Sequence, residues 1–154
     1  MTHQDSDVGY YNHYHTQLHT QQLSRLIGKE IRYIDNVCDP SLREGIKKLN
    51  PREILLLDNV RFMAEEMTLF ATKLKLTPDE QAKTQVVKKL PPLADLYICD
   101  AFTAAHRVQP TLLGFQEILP SAMGRLFEKE YTALSDIMEN LERPCIFILG
   151  AVKI

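Results

Sequence analysis

Three stretches of this 154-residue chain place a cation shortly behind an apolar run: Arg61 in Asp58-Asn59-Val60-Arg61-Phe62, Arg107 in Ala105-His106-Arg107 behind Asp100-Ala101-Phe102, and Lys153 in Gly150-Ala151-Val152-Lys153. A guanidinium presents a rigid fork of donors suited to bidentate contact with phosphate or carboxylate, and a lysine ammonium is a compact charge. Binding a small anion is the chemistry these residue types serve if the fold brings them to one edge. The competing reading pairs Arg61 with Asp58 and Arg107 with Asp100, because ion pairs form at such edges without any ligand. Spacing leaves both readings open. His15 and His19 stand four apart, so a helix would put them on one face, as two metal ligands can be. No acidic or cysteine partner lies at a matching distance along the sequence, so a solvated helix start is expected there, and no metal. Cys99, inside an apolar run, reads as a small core residue rather than a nucleophile.

The elements that must position these residues alternate. Runs 31–34, 54–57, 96–99 and 146–149 are too short for buried helices and read as strands covered on both faces. Ser41-Leu42-Arg43-Glu44 and Thr77-Pro78-Asp79-Glu80 have the spacing of a capping box, which predicts helices starting near Ser41 and Thr77. Stretch 126–141 carries Phe127, Tyr131, Leu134 and Met138 at helical steps, and 15–27 does the same with Leu18, Leu23 and Leu26. Met63 and Met67 are expected in the core, Tyr10, Tyr11 and Tyr14 over the first helix, and Lys88-Lys89 at a helix end. The resulting fold class is α/β, a three-layer Rossmann-like parallel sheet with helices on both faces. In such sheets ligands bind outside the carboxyl ends of the strands, where all three cations fall.

Composition narrows the partners. With 18 Lys+Arg against 20 Asp+Glu and a net charge of -2, the chain lacks the positive excess that draws counter-ions off nucleic acid or lipid headgroups. Cys38, Cys99 and Cys145 are odd in number and form no C-x-x-C, so neither a disulfide framework nor a zinc site is expected. Without a leader pattern or an apolar run approaching the ~20 residues of a membrane span, the expectation is a soluble, cytoplasmic protein. Both ends read as cut: the last apolar run has no helix behind it, and no strand precedes His3.

Longer motifs point to a family. Leu55-Leu56-Leu57-Asp58-Asn59-Val60-Arg61-Phe62 with Ala64-Glu65-Glu66, Ala94-Asp95-Leu96-Tyr97-Ile98-Cys99-Asp100-Ala101-Phe102 with Ala105-His106-Arg107, Leu119-Pro120-Ser121, and Glu142-Arg143-Pro144 with Ile148-Leu149-Gly150 resemble phosphoglycerate kinase, in the family's order. That resemblance implies residues 1–154 as a single partial domain, most of the N-terminal, phosphoglycerate-binding domain. It also implies that the nucleotide-binding C-terminal domain is absent. It implies Arg61 and Arg107 as part of the basic patch that grips 3-phosphoglycerate, His3 as the histidine of a loop in the same site, and Lys153 as the lysine that stabilises the transferring phosphoryl group. Phosphoryl transfer depends chiefly on positioning and charge neutralisation, so no general base or covalent nucleophile is needed. Mg-ATP or Mg-ADP belongs to the complete family enzyme, and no cofactor is expected to bind this chain alone.

The departures shape the expectation further. The family's first strand with its Arg-x-Asp-x-Asn motif is absent, Asp5-Ser6-Asp7 follows His3 where an arginine is usual, and Gly150-Ala151-Val152-Lys153 replaces Gly-Gly-Ala-Lys. No glycine-rich nucleotide loop occurs. The resemblance makes the absent strand central to the sheet, so runs 31–34 and 54–57 should face the other two across a gap. Unpaired backbone groups there cost roughly 1–3 kcal/mol each if buried, against ~5–15 kcal/mol for a whole domain. The expected partners are 3-phosphoglycerate and, as an alternative role, another chain supplying the missing strand and nucleotide domain. The chain is then either an inactive kinase fragment or a non-catalytic anion-binding or interaction domain.

Overall fold

Two short parallel ladders form the strand framework. In the computed structural model, which describes residues 14–71 and 76–148, β1 (Ile31–Ile34) pairs with β2 (Ile54–Leu57), from Ile31↔Ile54 to Ile34↔Leu57. β3 (Tyr97–Cys99) pairs with β4 (Ser121–Met123), from Tyr97↔Ser121 to Cys99↔Met123. Among the described residues these are separate two-stranded sheets rather than one. An apolar groove of about 220 Å³ runs between them, lined by Ile46 and Leu57 on one side and Tyr97, Ile98 and Leu119 on the other. This is the division expected around an absent central strand. It also explains why Ile98 is exposed although its run reads as doubly covered.

Local chemistry sets the helices. α1 (Gln17–Ile27) stops at Gly28, whose φ of 63° is the left-handed conformation that closes the last turn onto the Ser24 carbonyl. α2 (Pro40–Lys47) starts earlier than its capping-box motif predicts. Asp39, not Ser41, is the cap, and its Oδ1 accepts the Leu42 N–H at 3.0 Å and the Ser41 hydroxyl at 2.7 Å. Pro40 decides the matter by presetting the first helical φ, which moves the cap one residue ahead of itself. α3 (Ala64–Ala71) follows a 3-10 turn (Val60–Phe62), and α4 (Pro78–Gln81) has the expected box, with Thr77 and Glu80 satisfying each other's backbone N–H groups. α5 (Gln85–Lys89) ends on its two lysines, and α6 (Arg125–Glu139) fills the predicted helical stretch.

Val37, Leu42, Leu57, Val60, Val86 and Val87 form the buried core. Tyr97 packs edge-to-face on Phe115, ring centroids 5.4 Å apart, so the core reaches from the first ladder to the second. Met67 is buried and Met63 packs against the core. One strand expectation needs correction. Residues 146–148 form no strand, and Ile146 and Ile148 stay 86% and 92% exposed; Leu149 lies outside the described residues. Consecutive apolar residues signal a capacity for burial, but a strand needs a neighbour to satisfy its backbone groups. Conversely, β4 has no apolar run at all and exists because β3 offers it a ladder. The apolar stripes of α1 and α6 keep their helical period yet remain largely uncovered, as at Leu26 and Met138. Tyr14 is exposed and Cys99 only half-buried.

Candidate functional site

The chain turns sharply at the carboxyl end of β2. Asn59 accepts the Arg61 N–H on Oδ1 at 3.1 Å and donates Nδ2–H to the Tyr14 carbonyl, which holds the 3-10 turn in place. Arg61 is consequently drawn inward and is only 2% exposed. Asp58 is engaged elsewhere: Oδ1 accepts the backbone N–H of Thr16, at the start of α1, at 2.9 Å, and Oδ2 lies 2.5 Å from His15 Nδ1. Burial pushes the Asp58 carboxyl up, but hydrogen bonds from Thr16, Asn59 and His15 outweigh it and hold the group below its usual range. The hydrogen bond to Asp58 in turn holds the His15 imidazole above its ordinary value.

Asp100, behind β3, does a similar job. Its Oδ1 accepts the N–H groups of Leu126 and Phe127 at 2.8 and 2.9 Å, anchoring the first turn of α6 where the helix dipole favours negative charge. The two carboxylates proposed as partners for Arg61 and Arg107 thus each hold a helix start.

Arg107 stands between the 3-10 turn Phe102–Ala104 and a turn of π-helix (Pro110–Gly114) and is half-buried. Glu66 ties its segment to that of Arg61. The Glu66 Oε1 accepts the Thr111 N–H at 2.7 Å, and its backbone carbonyl accepts Gln109 Nε2–H at 3.1 Å. With no exposed surface, Glu66 has its carboxyl pushed up to about 7 by burial, against the Thr111 N–H and the Arg61 charge, which favour the ionised form. Its neighbour Glu65 faces the other way and accepts the Gln85 N–H on both oxygens at 2.8 Å, capping α5. Glu66, Gln109 and Thr111 were not singled out by sequence; Glu66 sits inside a quoted motif, but nothing local marks it as the link between the segments that follow Arg61 and Arg107. His3 and Lys153 lie outside the described residues.

The arrangement is a pair of strand ends, each followed by an arginine, with a buried carboxyl joining the segments beyond the arginines, in the place where parallel sheets bind ligands. The phosphoglycerate kinase family profile matches residues 1–154. The chain belongs to the phosphoglycerate kinase family. It is 46% identical over 136 residues to a phosphoglycerate kinase of Methanothermobacter thermautotrophicus, an alignment covering 88% of this chain and 32% of that one. A second, from Methanobacterium bryantii, is 46% identical over 138 residues, covering 90% and 32%. The crystal structure of the Pyrococcus horikoshii phosphoglycerate kinase superposes with a TM-score of 0.85 at 38% identity, covering 98% of this chain and 36% of that one. The phosphoglycerate kinase of Coxiella burnetii, at 23% identity and a TM-score of 0.63, shares the fold. The chain therefore spans about a third of the length of these relatives. It is a partial Rossmann-like α/β unit of a phosphoglycerate kinase. No helix among the described residues is long and apolar enough to cross a membrane.

Proposed function

We propose that this chain supplies part of the phosphoglycerate site of a phosphoglycerate kinase, acting in the cytoplasm on the reversible transfer of a phosphoryl group between 1,3-bisphosphoglycerate and ADP. In this reading Arg61 and Arg107, together with His3, bind the phosphate and carboxylate of 3-phosphoglycerate, and Lys153 neutralises the phosphoryl group in transit. The observation that carries it is the link that Glu66 makes between the segments following Arg61 and Arg107, within a chain that matches the family from end to end. Mg-nucleotide would be held by the part of a complete enzyme that this chain does not span, so the isolated chain binds the glycerate substrate without turning over.

Calorimetric titration of the folded chain with 3-phosphoglycerate tests the site. Binding that disappears in Arg107→Ala supports it, and no binding by folded protein rules it out. Formation of ATP from 1,3-bisphosphoglycerate and ADP by the chain alone, abolished by Arg61→Ala, would overturn the claim of inactivity. The groove between the two ladders favours a second reading, a non-catalytic domain that takes up a strand from another chain carrying the remaining kinase. Co-purification of a separately expressed complementary fragment, with recovery of turnover, would distinguish a split enzyme from that interaction domain.

A further inference from the structure

We propose that His15, Asp35 and Asp58 form a binding site for a divalent transition-metal ion of the Zn²⁺ class. The parallel register explains how the carboxylates meet: Ile34 pairs with Leu57, so the next residues, Asp35 and Asp58, leave adjacent strand ends side by side. His15 reaches the same point from the start of α1. One ligand atom from each residue lies within 4.8 Å of the other two. The imidazole Nδ1 is 2.5 Å from Asp58 Oδ2 and 3.3 Å from Asp35 Oδ1. A single N–H can serve only one of these oxygens, and even an imidazolium leaves the trio one negative charge in excess. A dication would neutralise both carboxylates and use the imidazole nitrogen as a neutral ligand.

A second observation points to the same spot. The Tyr33 hydroxyl oxygen is buried there and interacts with both carboxylates, Asp58 and Asp35. It offers a further oxygen at the site, one strand repeat before Asp35. Mixed nitrogen and carboxylate ligation suits Zn²⁺ and its neighbours better than Mg²⁺ or Ca²⁺, which prefer all-oxygen sets.

The geometry needs a small adjustment. Ligands about 2.0–2.2 Å from a tetrahedral ion are about 3.3–3.6 Å apart, so His15 must withdraw from Asp58 by roughly 1 Å. The side chains that must move are free to do so, with His15 59% and Asp35 73% exposed. Asp58, 3% exposed and fixed through Thr16, is the stationary ligand. Bound metal would join the start of α1 to the ends of β1 and β2, and the His15 ring packs 4.9 Å from that of Phe62, next to Arg61. The ion would therefore stiffen the turn that presents Arg61.

Titration of the chain with Co²⁺, a spectroscopic substitute for Zn²⁺, tests this through absorption and thermal unfolding. One Co²⁺ per chain is expected, with weak visible bands, no near-ultraviolet thiolate band, a raised unfolding temperature, and displacement by Zn²⁺. Asp35→Asn, at an exposed position, should weaken Co²⁺ binding by about tenfold or more while keeping the metal-free unfolding temperature, and His15→Gln, which also removes the hydrogen bond to Asp58, should weaken binding by a similar factor. Binding in Cys145→Ser and His19→Gln should match the parent chain. Absence of stoichiometric binding, a thiolate band, or parent-like affinity in both ligand variants would overturn the proposal.

Discussion

Glu66 is a buried acid whose ionisation opposes the native state. It has no exposed surface, its Oε1 accepts the Thr111 N–H at 2.7 Å, and its Oε2 has no partner among the described residues. Burial raises its pKa from an ordinary 4.5 to about 7, against the Thr111 hydrogen bond and the Arg61 charge, while Glu65 pushes in the same direction as burial. A carboxyl whose pKa is higher folded than unfolded gives its full stability below pH 4.5, where both states are protonated. That stability falls as pH rises, because the unfolded chain releases the proton first, and the loss is complete once pH passes the folded value near 7. The difference of about 2.5 units corresponds to about 3 kcal/mol. Glu66→Gln keeps the acceptor for Thr111 and removes the titration. Urea unfolding of both proteins from pH 5 to 8 should therefore give stabilities within about 1 kcal/mol at pH 5 that diverge upward, with the glutamine variant ahead by about 2–3 kcal/mol at pH 8. Parallel profiles across that range would refute the reasoning, since they would mean that Glu66 is ionised or solvated throughout.

Two further predictions rest on packing. A Cβ on Gly124 would collide with the Asp100 carboxyl, so Gly124→Ala should displace Asp100 from the start of α6 and destabilise the chain by about 1–2 kcal/mol; hydrogen exchange at Leu126 and Phe127 should speed up, and unchanged protection would show that Asp100 does not hold the helix. Gln81 is fully buried with neither amide atom hydrogen-bonded among the described residues, so Gln81→Met, of similar shape and without polar atoms, should raise stability by about 1–2 kcal/mol in urea unfolding.

Local signals were legible wherever neighbours in sequence decide the outcome. The Thr77–Glu80 capping box is complete because both partners lie in one turn, and α6 follows its apolar period although solvent covers much of that face. At α2 the local reading was off by a cap, since Pro40 favours Asp39 over Ser41. β4 and the run at 146–148 show the limit from two sides: three residues with no pattern become a strand beside β3, and a strongly apolar run without a neighbour does not.

The motifs around Arg61 and Arg107 identify the family by themselves, because residue types at fixed spacing behind apolar runs survive as linear information. Their surroundings do not. The carboxylates of Asp58 and Asp100 stand three and seven residues before the arginines, yet each holds the start of a helix that is distant or unrelated in sequence. Glu66 is separated from Thr111 by 45 residues and Asp35 from Asp58 by 23, and only parallel pairing and chain reversal bring such groups within hydrogen-bond or ligand distance. Sequence therefore determined which residues carry charge and which segments can be helical, while the tertiary fold decided which charges meet, because electrostatic and hydrogen-bond energies depend on separations of a few ångströms that no linear spacing encodes.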